Sequence, residues 1–118
     1  MIKIFSSKFF KVLFLIACLA VFIVSLLPGK VLPSSLIWDK AGHFIAYCGL
    51  AGICRFASNK RADWQLIMAV IVFSFAIELL QQLIPNRSFE WYDLLANSLG
   101  ALSGTIIAKF IKPILIKE

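Results

Sequence analysis

The stretch VLFLIACLAVFIVSLL (Val12–Leu27) is an unbroken apolar run, softened only by Ser25. With Phe9 and Phe10 in front of it, a helix rising 1.5 Å per residue is long enough to cross a hydrocarbon layer about 30 Å thick. The basic lead Lys3, Lys8 and Lys11 also fits a secretory signal, but the run exceeds an ordinary signal core. No small-x-small cleavage site follows it before Pro28. A retained membrane helix over 9–27 is the expectation.

The rest of the chain agrees. Its 118 residues are 61% hydrophobic and 15% charged, against about 45–50% and about 25% for an ordinary soluble domain. So small a chain has no interior large enough to hide that much apolar surface from water. Length allows one domain, spanning 1–118. Three further helices are expected at 39–57, 64–84 and 93–112, giving an all-α, four-transmembrane-helix fold. Pro28–Trp38 is a turn-rich connection, and Ser58–Asp63 a short polar loop. Pro85 is expected to stop the third helix and Pro113 to break the fourth.

Charge sets an orientation. Four spans put both ends on one side of the membrane. The N-terminus, second loop and C-terminus carry nine of the twelve basic residues: Lys3, Lys8, Lys11, Arg55, Lys60, Arg61, Lys109, Lys112 and Lys117. The other loops carry Lys30, Lys40 and Arg87. The positive-inside rule then places both termini in the cytoplasm, and Trp38, Trp64 and Trp91 fall at helix ends as interfacial residues should. The net charge of +6 is therefore a loop property. It is no nucleic-acid signal, because the basic residues are not arrayed on a soluble face. Cys18, Cys48 and Cys54 lie in apolar segments without metal-type or disulfide spacing.

Against this background the polar residues stand out. Asp39, His43 and Tyr47 are spaced i, i+4, i+8 and share one side of the second helix. Ser74, Glu78, Gln81 and Gln82 share a side of the third. Asp93, Asn97, Gly100 and Gly104 fall in one arc of the fourth, where Gly-x-x-x-Gly is a close-packing pattern for membrane helices. At 1.5 Å per residue, His43, Glu78 and Asn97 reach one layer, roughly 6–10 Å below the outer surface. Gln81, Gln82 and Asn97 taken singly read equally well as interhelical hydrogen-bonding residues. Glu78 does not, because a carboxylate two turns inside a membrane defaults to a functional role and needs a cationic partner to stay charged. Arg87, Lys40 and protonated His43 are the candidates. The expected site is an outward-facing polar pocket of Asp39, Lys40, His43, Tyr47, Glu78, Gln81, Arg87, Asp93 and Asn97. No ionisable path crosses the membrane, which argues against a channel.

The ordered set Asp39-Lys40-x-x-His43-x-x-x-Tyr47-x-x-Leu50, Glu78-x-x-Gln81, Pro85-x-Arg87 and Asp93-x-x-x-Asn97-x-x-Gly100 resembles the VanZ-like family over roughly Val12–Ala108. That family is named for a teicoplanin-resistance accessory membrane protein. The resemblance implies a small multi-pass protein of the bacterial cytoplasmic membrane linked to the cell envelope. It supplies no reaction.

Three functions follow. The pocket binds a membrane-lipid, cell-wall-precursor or glycopeptide-type head group, with Lys40, His43 and Arg87 donating to phosphate or carboxylate. Alternatively, the chain is an intramembrane enzyme with His43 and Glu78 as acid and base; no nucleophile elbow or H-E-x-x-H motif supports it. The third reading is a structural subunit in a homo-oligomer or larger membrane complex, for which the lipid-facing side of the third helix, at Val70 and Phe73, would matter most. One histidine with scattered carboxylates is a weak metal signal, and neither a metal nor a cofactor is assigned.

Overall fold

The computed structural model of the chain describes residues 5–27, 36–85 and 89–117; the side chains of 36–39, 116 and 117 lie outside the description. Within these residues the chain forms four helices, α1 (Ser7–Ser25), α2 (Leu36–Ala57), α3 (Asp63–Gln81) and α4 (Trp91–Leu115). Two short strands, β1 (Phe5–Ser6) and β2 (Ile116–Lys117), pair in parallel. That pairing brings the two ends of the chain to the same end of the molecule.

Three of the helices, α1, α3 and α4, are long and apolar enough to cross a membrane. α2 has the length, at 22 residues, but its first half carries Lys40 and His43 and lowers its hydropathy. The helix ends have local causes. The Ser6 side chain accepts from the Phe9 N–H and caps α1. The Gln65 side chain accepts from the Ala62 N–H at 3.0 Å, and Asp63 places a carboxylate at the positive end of α3.

Each helix shifts from its expected range by one to three residues at one or both ends, and two of these shifts involve proline. α3 ends at Gln81 rather than 84, and the chain then tightens through Leu83 N–H to Leu80 O and Ile84 N–H to Gln81 O bonds. The residue before a proline disfavours the α conformation, so Pro85 acts upstream of itself. α4 runs through Pro113 to Leu115. A proline this close to a helix end removes one backbone bond and has little helix left to disrupt.

Packing centres on α2 and α4, which run parallel. Lys40 meets Asp93, His43 meets Asn97, and Lys112 meets the Ser58 carbonyl. The contact is backbone to backbone. A Cβ added at Gly100 would lie 3.1 Å from Cys48 N and closer still to Phe44 O, and one at Gly104 would lie 2.9 Å from Cys48 Cα. The Gly-x-x-x-Gly arc is therefore the seam of the fold. α3 runs antiparallel to both, and α1 joins it at one end through the Gln81 Nε2 bond to Ser25 O, 2.8 Å.

Burial is inverted relative to a soluble protein. Glu78 is 1% exposed and Asn97 2%, while Leu15 is 69% and Val12 59% exposed. Polar groups inside and long apolar side chains outside suit a hydrocarbon surround. Val70, expected to face lipid, is buried in the core with Tyr47, Leu50 and Leu66. It lies one turn from Ser74 and continues the stripe that ends in Glu78. Gln82, expected on that stripe, is exposed, because the helix has already ended at Gln81. An apolar cavity of about 210 Å³ lies between α1, α2 and α3, lined by Phe14, Cys18, Leu50, Ala69, Val70 and Phe73.

Candidate functional site

The polar residues gather at the end of the molecule where α2 and α4 begin and α3 stops. Lys40, in the second turn of α2, bridges two carboxylates. Its Nζ lies 2.6 Å from Glu90 Oε2 and also pairs with Asp93 Oδ1. Asp93 belongs to the first turn of α4, where the helix N-terminus favours an anion.

His43 sits one turn deeper. Its Nδ1 lies 3.1 Å from Asn97 Oδ1, and its Nε2 lies 3.5 Å from Asp93 Oδ2. Asn97 in turn donates from Nδ2 to Ser74 Oγ at 2.6 Å, and Tyr47 lies against Ser74 from the α2 side. A polar chain thus runs from the core outward, from Tyr47 through Ser74 and Asn97 to His43. With the Asn97 amide so oriented, its carbonyl accepts from His43 Nδ1, which turns Nε2 toward Asp93.

Glu78 completes the third wall. One ligating atom from each of His43, Glu78 and Asp93 lies within 4.8 Å of the others. The Glu90 backbone amide approaches the Glu78 carboxylate, but Glu78 Oε2 is buried with no hydrogen-bond partner among the described residues. Native proteins seldom leave such an atom unsatisfied.

Of the residues expected from sequence, the structure brings Lys40, His43, Glu78, Asp93 and Asn97 together, with Tyr47 beneath them. Gln81 is buried but spends its amide on Ser25 of α1. Arg87 lies outside the described residues, as do the side chains of Asp39 and Trp38; Trp64 and Trp91 are exposed at the starts of α3 and α4. Glu90 was not expected. It is three residues before a helical aspartate, in a polar turn, and nothing in its spacing marks it as Lys40's partner. Ser74 was visible only as one member of a stripe.

A second charged group lies at the opposite end. Arg55 Nη1 reaches Asp63 Oδ1 at 2.6 Å, and Lys109 Nζ reaches Asp63 Oδ2 at 2.9 Å. Lys112 donates to the Ser58 carbonyl and to Asn59 Oδ1. These contacts tie the 58–63 loop to α2 and α4 and satisfy their own donors.

Helices with apolar exteriors around a buried polar cluster define a helical membrane protein. The family model described as VanZ/LLP1 matches residues 3–112, so the chain belongs to the VanZ-like family and is a VanZ-type accessory membrane protein. No curated protein matches the chain, and no solved structure does.

Proposed function

We propose that the chain is a multi-pass protein of the bacterial cytoplasmic membrane whose polar cluster binds the head group of a lipid-linked envelope precursor or a glycopeptide-type ligand. The charge asymmetry supports a cluster facing outward, with the β1–β2 end in the cytoplasm. The observation that carries the reading is the buried Glu78 Oε2, without a hydrogen-bond partner among the described residues and set among polar side chains. An acceptor held ready in this way suits an amine, amide or hydroxyl donor on a ligand.

The geometry changes the chemistry of the pocket. Lys40 is engaged by Glu90 and Asp93 and so organises two carboxylates at the mouth of the cluster. Among the described side chains, acceptors exceed donors, and the complementary part of a head group is its amino and hydroxyl functions. The test is binding by the full chain in nanodiscs, comparing an undecaprenyl-linked precursor, teicoplanin and plain phospholipids. A preference for one of the first two, reduced about tenfold or more in Glu78→Gln, is expected. Equal binding of all three would end the reading.

One observation favours the enzyme alternative. His43 is held between Asn97 and Asp93, the arrangement that orients an imidazole for proton transfer. Turnover of the precursor by the wild-type chain and not by His43→Gln would establish it.

A further inference from the structure

We propose that His43, Glu78 and Asp93 form a binding site for one divalent transition-metal ion, Zn²⁺ or Mn²⁺. The inference shares the Glu78 Oε2 observation with the head-group reading, and metal retention is measured with no head group present, so either can fail without the other.

Three features point there. First, the donors converge from three different helices, α2, α3 and α4, with one ligating atom of each within 4.8 Å of the others. Second, the His43 Nε2 to Asp93 Oδ2 separation of 3.5 Å is long for a hydrogen bond between charged groups, normally about 2.7–2.9 Å. It matches the edge of a tetrahedron around a metal with bonds of 2.0–2.2 Å, which is roughly 3.4 Å. Third, Glu78 Oε2 is buried and lacks a hydrogen-bond partner among the described residues.

The surroundings complete the site. Asn97 accepts the Nδ1 proton of His43, which fixes the tautomer that leaves Nε2 as a ligand. Such an outer hydrogen bond accompanies nearly every metal-bound histidine. Ser74 holds Asn97 in its turn. Lys40 takes Asp93 Oδ1 and leaves Oδ2 toward His43. Electrostatics agree: among the described residues, the carboxylates of Glu78, Glu90 and Asp93 gather around the ammonium of Lys40. A divalent cation offsets their mutual repulsion, displacing any proton held by the ligands as it binds. One nitrogen and two carboxylate oxygens suit Zn²⁺ or Mn²⁺ and leave a coordination position open.

The test uses the full chain purified in detergent, stripped with chelator and titrated separately with Zn²⁺, Mn²⁺, Mg²⁺ and Ca²⁺. About one equivalent of Zn²⁺ or Mn²⁺ per chain is expected after desalting, with Mg²⁺ and Ca²⁺ not retained. His43→Gln and Glu78→Gln should each weaken affinity at least 100-fold, and Asn97→Ala about 10-fold, in the range for outer-shell partners. X-ray absorption of the loaded wild type gives a readout independent of variant folding. One imidazole, oxygen neighbours and no sulfur support the site. A stoichiometry below a tenth of an equivalent, a sulfur-containing shell from Cys18, Cys48 or Cys54, or binding unchanged in His43→Gln would overturn it.

Discussion

Gly104 of α4 lies so close to Cys48 of α2 that a Cβ on the glycine would stand 2.8 Å from the cysteine carbonyl carbon and 2.9 Å from its Cα. Both obstructing atoms are backbone, so no side-chain rotation relieves the clash. Gly104→Ala must push α2 and α4 apart, at a cost of about 1–3 kcal/mol by analogy with overpacked cores. Gly49→Ala, where a Cβ meets nothing within 4 Å, should leave stability within about 0.5 kcal/mol of wild type. Thermal unfolding of the two variants in one detergent checks the contrast, and equal midpoints would contradict the seam.

Asn97 connects Ser74 and His43. Asn97→Ala strands both partners in a buried layer and should destabilise by about 1–3 kcal/mol. It should also release the histidine tautomer. The chain has a single histidine, so its ring ¹⁵N signals need no assignment. The wild type should show the Nδ1–H form and Asn97→Ala a mixture. A mixture in the wild type would rule out the hydrogen bond as described.

The two charged clusters should respond differently to substitution and salt. Lys40 sits between Glu90 and Asp93, with its side chain and that of Asp93 mostly shielded. Lys40→Met leaves carboxylates facing one another and should destabilise by about 2 kcal/mol or more, little affected by added salt. Asp63 is more open to solvent, and Asp63→Asn should cost under about 1 kcal/mol, an effect that fades in 0.5 M NaCl. Melting curves at low and high salt test both; a salt-insensitive loss in Asp63→Asn would contradict the assignment.

Much of this arrangement was legible in the sequence because membrane segments obey few rules. Val12–Leu27 had to be a helix, since an unpaired backbone is excluded from hydrocarbon. Periodicity placed His43, Glu78 and Asn97 in one layer and identified Gly100 and Gly104 as a packing face. What spacing does not carry is the choice among partners. Glu78 was expected to find a cation; Lys40 lies near it, but so do the carboxylates of Asp93 and Glu90, and Arg87 is outside the described residues. Glu90 reaches Lys40 only because the turn before α4 swings it across. Val70 looked like a lipid-facing residue because its chemistry suits lipid and core alike; only the neighbouring helix decides which. The metal-type convergence was equally hidden, because its three ligands come from three helices and have no local spacing.

The central claim is that Glu78 is kept for binding and not for folding. A buried carboxylate beside Asp93 and Glu90, with one oxygen lacking a partner among the described residues, weakens the fold that holds it. The direct measurement is the thermal midpoint of Glu78→Gln against wild type, in chelator at pH 8, paired with precursor binding. The account predicts a higher midpoint, equivalent to about 1–3 kcal/mol, together with lost binding, the trade expected of a functional site. A lower midpoint would make Glu78 a structural residue and contradict the claim.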